Sequence, residues 1–397
     1  MQTTHRPGNV EDDSSQIAAQ LRTLLRPSGL GTSAALPPAS RADACTGIQP
    51  PAGWAVHVPG AAGWSDPSAY AERPWGDGSA SPLYCPRTER VDDALGNEVD
   101  ERLTAWAADC GCRADELDAL RQAGFGRLVM LAHPDIDDPD ALLVAAQMNT
   151  AWWAADDYYA DNTEAGADLA LLAPRLVLAM EALDPSPSAG DLTAPLDEAL
   201  RGDLVLRMLS SAVGHLARHG SPAQVQRACY ATFAMFVSWN AYAAWREAGT
   251  FPPAWEYLTA RQHDSFYTSM TLADPIGSYE VPADLYYDPR VRHAAFLAGT
   301  SSVLVNDLFS VAKDAADEKP VCNIVSLIAA DRDCSLQEAT EATVELHNDF
   351  VHEFEATHRD LMTLPSPELQ RFLRALRAWM GGGFEWHATN PRYEQST

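Results

Sequence analysis

The chain has 397 residues, of which 46% are hydrophobic, and a net charge of −27 at pH 7. This length and composition allow a sizeable core, in one large domain or two of ordinary size. The acidic balance argues against binding nucleic acid or an anionic membrane surface through a general basic field, so an anionic ligand would need metal ions or a local group of cations.

The cysteines and the N-terminus indicate the cellular compartment in which the protein is expected. Seven scattered cysteines form neither a disulfide framework nor paired CxxC zinc spacing, which favours a reducing environment. The N-terminus has no apolar signal core, and no uninterrupted apolar run reaches membrane-spanning length. We therefore expect a cytoplasmic protein with no membrane insertion and no nucleic-acid partner.

Residues 1–85 are rich in proline, glycine, alanine and serine. Frequent proline interrupts helices and central strands, so we expect this segment to be mostly disordered. Its tryptophans Trp54, Trp64 and Trp75 are either anchors that fold back on the main domain or isolated aromatics in a linker.

Residues 86–397 are expected to form the main domain. From Asn97 onward the pattern is helical almost without interruption, with no strand-helix alternation and no period-two strands. Asp138-Pro139-Asp140 and Ser366-Pro367-Glu368 are typical helix starts. Gly381-Gly382-Gly383 predicts the end of the last helix. A phosphate-binding loop is the less favoured interpretation, since no Gly-Lys-Ser/Thr follows. The predicted fold class is all-α, in a single domain too large for a four-helix bundle. Helices are expected near residues 138–156, 168–180, 191–219, 222–247, 254–273, 288–316, 324–330, 335–357 and 367–381.

An acid-rich motif ends the helix that begins at Asp138. Asp156, Asp157 and Asp161 follow an apolar run that carries Trp152. Carboxylates this close raise one another's pKa unless a cation or a hydrogen-bond donor stabilises the ionised form. The motif therefore predicts a bound cation, and the alternative is a solvated acidic helix end.

A second polar group lies within the predicted helix 288–316. Asn306, Ser310 and Asp314 are spaced i, i+4, i+8, so they form a row along one helix face. Mg²⁺ prefers such oxygen ligands and usually keeps waters and substrate phosphates as further ligands. The alternative is a polar face with ordinary intrahelical hydrogen bonds. Together, the two motifs predict metal-bound diphosphate.

The pair of motifs resembles the acid-rich motif and the Asn-Asp-x-x-Ser-x-x-Lys-Glu motif of bacterial class I terpene synthases. The resemblance covers the chain from about Pro82 to Tyr393. It implies a helical bundle around a central cavity and magnesium as cofactor, with three ions. The metal ligands that it implies are Asp156, Asp157, Asn306, Ser310 and Asp314. In two departures from the family pattern, Asp314 replaces a Glu and Asn162 stands where an acid commonly follows Asp161.

The resemblance also implies the cations that would stabilise the leaving diphosphate. An arginine at a fixed spacing before the motif asparagine senses the diphosphate in that family, and Arg261 has this spacing, followed by Asp264 and Ser265. Lys313 belongs to the second motif, and an Arg-Tyr pair near the C-terminus corresponds to Arg392 and Tyr393. Cations at these places would neutralise charge where it develops.

Aromatic faces stabilise carbocations through cation–π attraction in a dry cavity. Each aromatic candidate for such a role could instead pack in the core. The expected substrate-binding residues are Phe125, Trp152, Trp239, Ser265, Phe384 and Trp386, with Trp245 and Trp379 as further aromatic candidates. Glu385 and His387 lack a third zinc ligand at helical spacing and are expected to form a structural hydrogen-bonding pair.

A narrower resemblance rests on residues 125–128, 153–159, 303–310, 334–339 and 385–389 and on the proline-rich leader. These stretches resemble the family members that cyclise 2-methylgeranyl diphosphate, a C11 homologue of the monoterpene precursor, to 2-methylisoborneol. The resemblance further implies a homodimer. Four alternatives stay open: deprotonation of the same substrate to 2-methylenebornane, another mono- or sesquiterpene cyclase, a chain-elongating prenyltransferase, or a non-catalytic helical binding protein.

Overall fold

Sixteen α-helices and one two-stranded sheet account for most of the residues that this computed structural model describes, which are 69–161, 168–316 and 322–390. All of them belong to one unit, Val58–Thr397. The predicted all-α fold is confirmed. The strands are β1 (Tyr70–Arg73) and β2 (Leu83–Pro86), and the helices are α1 (Asp93–Cys110), α2 (Ala114–Ala123), α3 (Phe125–Ala132), α4 (Pro139–Ala155), α5 (Leu169–Leu183), α6 (Thr193–Gly202), α7 (Leu204–His219), α8 (Pro222–Ala248), α9 (Ala254–His263), α10 (Tyr267–Met270), α11 (Ala273–Ile276), α12 (Ala283–Tyr286), α13 (Pro289–Ala316), α14 (Ile324–Arg332), α15 (Leu336–Leu361) and α16 (Pro367–Thr389).

The two predicted helix starts are confirmed by their capping hydrogen bonds. Asp138 accepts from the Asp140 amide and is followed by proline at the first turn of α4. Ser366 accepts from the Leu369 amide in the same way at the start of α16. Each cap satisfies one amide that the first turn of a helix leaves without an intrahelical partner.

The sheet lies at the end of the proline-rich segment. β1 and β2 pair antiparallel, with Tyr70 opposite Pro86 and Arg73 opposite Leu83. β2 contacts α15 and α16, and Leu83 is fully buried. This packing orders residues 69–85, which were expected to be disordered because of their proline content. Residues 1–68, including Trp54 and Trp64, lie outside the described part. Trp75 is an anchor, because its ring centroid lies 5.7 Å from that of Phe309 in α13.

The prediction that α16 ends at Gly381 is wrong, since the helix continues to Thr389. The glycines permit close packing instead of stopping the helix. A Cβ added to Gly382 would lie 2.4 Å from the carbonyl oxygen of Leu131, and one added to Gly381 would lie 2.7 Å from that of Arg87. The backbones of α3 and of the chain after β2 therefore approach α16 more closely than any residue larger than glycine would allow at positions 381 and 382.

Helix α13 runs through the core and contacts α9, α10, α15 and α16. Its segment Pro289–Ala312 is long and apolar enough to cross a membrane, with a mean hydropathy of 1.4, but 72% of the apolar window is buried in the fold. This burial is typical of a core helix, so length and composition here are weak evidence for a membrane span.

Two segments that were each predicted as one helix contain a break. Residues 191–219 form a 3₁₀ turn followed by α6 and α7. The break between the two helices lies at Asp203, which ends α6 and caps α7. Residues 254–273 divide between α9 and α10 at Asp264–Phe266. At the second break, Gly299 of α13 comes so close that an added Cβ would lie 2.8 Å from Ser265 Oγ. The break brings Asp264 and Ser265 to the same cavity as α13.

Candidate active site

A cavity of about 270 Å³ lies between α4, α8, α9 and α13. It brings together most of the residues selected from the sequence, although they come from distant parts of the chain. The predicted site residues that line it are Phe125, Trp152, Asp156, Trp239, Arg261, Ser265, Asn306, Ser310, Asp314 and Trp386.

The acidic side of the cavity is formed by α4 and the π-helix that continues it, Asp156–Asp161. Asn149, Trp152 and Asp156 are spaced i, i+3, i+7, and all three line the cavity. The π-helix changes the direction of the side chains that follow, and such short π segments are frequent at functional sites. Asp157 does not line the cavity, and the side chain of Asp161 lies outside the described residues.

The opposite side is the polar row on α13. Ser310 Oγ donates to Asp314 Oδ2 at 2.7 Å, and the Asn323 side-chain amide donates to the same carboxylate oxygen at 2.9 Å. The side chain of Asp314, shorter than the family's Glu by one methylene, is thus held by two donors. Asn323 also accepts from the Val325 amide and caps α14.

The donor set of this row fits Mg²⁺, since an amide oxygen, a hydroxyl and a carboxylate face one cavity. Within the described ranges, no three His, Cys, Asp or Glu side chains group together as a metal site. An ion held here would therefore also need oxygens from Asp156, water or a ligand. That open arrangement is the one in which Mg²⁺ binds substrate phosphates.

Arg261 of α9 connects the metal-ligand candidates to a buried ion pair. Its guanidinium donates to Asn306 Oδ1 at 3.0 Å, to Asp307 Oδ1 at 2.7 Å and to Asp264 Oδ2 at 2.9 Å. Tyr257 donates its hydroxyl to the other Asp307 oxygen at 3.0 Å. Burial lowers the pKa of Arg261, but Asp307, Tyr257 and Asp264 raise it by more, so its pKa lies well above the ordinary value. The side chain is a permanent cation at the cavity wall.

Asn306 has its amide orientation set by His387. The Asn306 Nδ2 atom lies 3.2 Å from His387 Nε2, and His387 Nδ1 lies 2.7 Å from the carbonyl oxygen of Gly383. Burial lowers the pKa of His387 to about 4. The expected pairing of Glu385 with His387 is absent from these contacts, since Glu385 forms a salt bridge with Arg73.

The apolar wall contains four of the five aromatic residues expected to bind substrate, and Trp153 in addition. The Phe125 and Trp153 rings meet edge to face, with centroids 4.8 Å apart. Phe384 does not line the cavity, which corrects that prediction: it is buried beneath the Arg73 guanidinium, 4.1 Å from its ring centroid. It lies on the face of α16 that packs against the sheet and Phe309. Neither Trp245 nor Trp379 is among the lining residues.

Three of the predicted cationic or C-terminal residues are not among the described side chains. The side chain of Lys313 and the pair Arg392 and Tyr393 lie outside the described residues. Sequence reasoning did not select Asp307, Asn323 or His387 for the site. Asp307 adjoins Asn306 in the motif, which is a usable signal, whereas the contacts of Asn323 and His387 arise only from packing.

Comparison with known proteins agrees with this geometry. Residues 147–353 match the family model described as terpene synthase family 2, C-terminal metal binding. The 2-methylisoborneol synthase of Streptomyces ambofaciens is 33% identical over 95% of this chain and 82% of its own length.

Solved structures show the same similarity. The 2-methylisoborneol synthase of Streptomyces coelicolor, crystallised with Mg²⁺ and 2-fluoroneryl diphosphate, superposes with a TM-score of 0.76 at 32% identity, over 80% of this chain and 98% of that one. A second structure of that enzyme, with Mg²⁺ and geranyl-S-thiolodiphosphate, gives a TM-score of 0.73 at 32% identity, over 78% of this chain and 96% of that one.

The chain belongs to the terpene synthase family. It is a class I terpene cyclase, an enzyme that acts on an allylic diphosphate with the help of a metal. The family resemblance, the enzyme class and the predicted magnesium cofactor are thereby confirmed at the level of the family, because the related structures contain Mg²⁺ together with diphosphate analogues.

Proposed function

We propose that this enzyme cyclises 2-methylgeranyl diphosphate to 2-methylisoborneol and releases diphosphate. The observation that carries the proposal is a single cavity in which oxygen ligands on α4 and α13 and the cation Arg261 share a wall with Phe125, Trp152, Trp239 and Trp386. Similarity to 2-methylisoborneol synthases over 95% of the chain supports the choice of substrate and product.

In this proposal, Asp156 holds metal from the α4 side, and Asn306, Ser310 and Asp314 hold it from the α13 side. Asp157 contributes through contacts outside the cavity lining. Bound Mg²⁺, with three ions expected, neutralises the diphosphate and makes it a good leaving group.

The cationic side chains have a separate role. Arg261 already lies at the cavity wall, where all of its N–H groups donate to Asn306, Asp307 and Asp264. It exchanges its contact with Asn306 for one with the diphosphate once the substrate is bound. Lys313, Arg392 and Tyr393 are proposed to complete the diphosphate contacts. Donors fixed in advance where charge develops lower the barrier to ionisation.

The apolar wall stabilises the carbocation that remains after diphosphate leaves. The faces of Trp152, Trp239 and Trp386, with Phe125, attract the positive charge without offering a nucleophile. All four are at most 5% exposed, so bulk water has little access to the cation. Ser265 borders the same space at the helix break. We further propose that the enzyme is cytoplasmic and a homodimer.

The test is incubation of the purified full chain with Mg²⁺ and, separately, geranyl, 2-methylgeranyl and farnesyl diphosphates, with the volatiles identified by mass spectrometry. The expected result is 2-methylisoborneol from the C11 substrate as the main product. A main product from the C10 or C15 substrate would overturn the substrate assignment. Chain elongation on addition of isopentenyl diphosphate would favour a prenyltransferase, and no diphosphate release from any substrate would favour a non-catalytic protein.

A matched pair of variants tests the metal roles. Asp156→Asn and Asn306→Ala should each abolish most turnover. Asn240→Ala is the control, because Asn240 bonds to the Phe236 carbonyl and does not line the cavity. Wild-type turnover by either site variant would refute its proposed role as a ligand.

A further inference from the structure

A group of hydrogen-bonding side chains interrupts the apolar part of the cavity wall. Asn149 of α4 and Thr268 and Ser269 of α10 all line the cavity. Ser269 Oγ donates to Asn149 Oδ1 at 2.6 Å, and Asn149 Nδ2 donates to the Ala145 carbonyl at 2.8 Å. All three side chains belong to residues that are at most 8% exposed. We call these three residues the polar trio.

The polar trio lies deep in the cavity relative to the metal-ligand candidates. Asn149 precedes Asp156 by seven positions on one face of α4. At 1.5 Å of rise per residue, it lies about 10 Å further along the helix axis. Trp152 lies between them on the same face. When the diphosphate is held at Asp156, the polar trio is therefore beside the hydrocarbon part of the substrate.

The Thr268 hydroxyl has no hydrogen-bond partner among the described residues, although Thr268 is only 2% exposed. A buried hydroxyl without a partner is unfavourable by roughly 1–3 kcal/mol, so native structures usually satisfy it with protein or ordered water. A terpene hydrocarbon offers neither donor nor acceptor. The ligand that this hydroxyl requires is a small polar one.

Water fits this requirement. A buried water needs two to four polar partners. Thr268 can donate or accept, Ser269 Oγ retains acceptor capacity, and Asn149 retains a second amide hydrogen and a second carbonyl lone pair. The trio therefore supplies enough partners for one water at the wall of an otherwise apolar space.

We infer that the polar trio holds the water molecule that ends the reaction and so selects an alcohol over an alkene. This inference rests on the proposed function. In the last step, the water oxygen forms a C–O bond with the tertiary cationic carbon, and the resulting oxonium loses one proton, for which the released diphosphate is the final acceptor. In the competing outcome, a C–H bond breaks, a C=C bond forms, and that proton goes to the diphosphate instead.

The test is Thr268→Val, which keeps the shape of the side chain and removes the hydroxyl. Alcohol and alkene products from 2-methylgeranyl diphosphate are measured by mass spectrometry in ¹⁸O-labelled water, with diphosphate release measured in parallel. The alcohol-to-alkene ratio should fall by roughly tenfold, the effect of losing one ordinary hydrogen bond to the reacting water. Thr268→Ser should restore the ratio, because it retains the hydroxyl.

The chain offers a matched control in Thr300. Its hydroxyl is also buried and without a partner in the described part of the chain, but Thr300 does not line the cavity. Thr300→Val should leave the ratio unchanged. Ser269→Ala gives a second reading at the site if Thr268→Val folds poorly, and it should lower the ratio in the same direction.

An unchanged ratio in Thr268→Val and Ser269→Ala, with diphosphate release intact, would overturn the inference and leave the proposed function standing. A wild-type enzyme that releases diphosphate but makes only unoxygenated products would also overturn it. Absence of diphosphate release by the wild type would instead contradict the proposed function itself, so the two failures are distinguishable.

Discussion

Asn306 faces Nε2 of His387 with its side-chain amide nitrogen, at 3.2 Å. A carbonyl oxygen can only accept, so the 2.7 Å contact with Gly383 places a proton on His387 Nδ1. In the neutral tautomer, Nε2 is then the acceptor for the Asn306 amide. The amide oxygen of Asn306 consequently points away from His387; it accepts from Arg261 at 3.0 Å and retains a lone pair for a metal ion.

This relationship predicts that His387 acts through Asn306. His387→Phe should raise the Mg²⁺ concentration needed for half-maximal activity by roughly tenfold or more, as is usual when a residue that orients a ligand is lost. In an Asn306→Ala background, the same change should add little, which a double-mutant cycle measures. Equal costs in both backgrounds would contradict this account. His358→Phe, at a buried histidine outside the cavity lining, is the control.

Asn323 should tune metal binding through Asp314. Asn323→Ser keeps an oxygen that can cap α14 but removes the amide that donates to Asp314. We expect the Mg²⁺ requirement to rise by roughly tenfold. The thermal midpoint should also fall, because the same amide donates to the buried Asp307 carbonyl at 2.8 Å. The measurement is the Mg²⁺ dependence of diphosphate release, with Asn240→Ser as control. An unchanged Mg²⁺ dependence would show that the contact of Asn323 with Asp314 does not affect metal binding.

Two adjacent glycines of α16 should respond in opposite ways to alanine. Gly382→Ala places a methyl group 2.4 Å from the Leu131 carbonyl oxygen and should lower the free energy of unfolding by about 2 kcal/mol or more. Gly383→Ala meets its nearest atom at 3.5 Å and should be neutral or stabilising, by up to about 1 kcal/mol, because alanine favours helix. Urea unfolding compares them, and equal stabilities would contradict the close packing of α3 on α16.

Buried histidine should make the fold sensitive to acid. Burial lowers the pKa of His133 from 6.5 to about 4. The unfolded chain therefore binds a proton that the folded chain excludes, and stability present above pH 6.5 is lost as the pH falls towards 4. His133→Leu should reduce the loss in unfolding free energy between pH 7 and pH 5 by about 2 kcal/mol.

Urea titrations at the two pH values measure this difference. His219→Leu, at an exposed position of α7, is the control for replacing a histidine by leucine. A His133→Leu variant with the full wild-type loss would contradict the assignment.

The sequence predicts those parts of the site that follow from local periodicity. The spacing of Asn306, Ser310 and Asp314 places them on one face of α13, and Asp138 marks the start of the helix that carries Trp152 and Asp156 into the cavity. Both predictions depend only on helix geometry and capping.

Contacts between distant segments were not predictable in this way. Phe384 is aromatic, as expected of a residue that lines the cavity, but the sheet formed by β1 and β2 places Arg73 over its ring. Gly382 reads as a helix stop until the carbonyl of Leu131 is known to lie against it. Asn149 and Ser269 are 120 positions apart, and only the packing of α10 on α4 brings them into hydrogen-bond distance.

We propose that two groups of oxygen ligands, on α4 and α13, hold the Mg²⁺ that drives ionisation of the substrate. The most direct test is the rate of diphosphate release from 2-methylgeranyl diphosphate by the wild type, Asp156→Asn and Asn306→Ala, each with Mg²⁺ and with the metal chelated. We expect release by the wild type with Mg²⁺ and loss of most of that activity in both variants and after chelation. Release at the wild-type rate without a divalent cation, or by either variant, would contradict it.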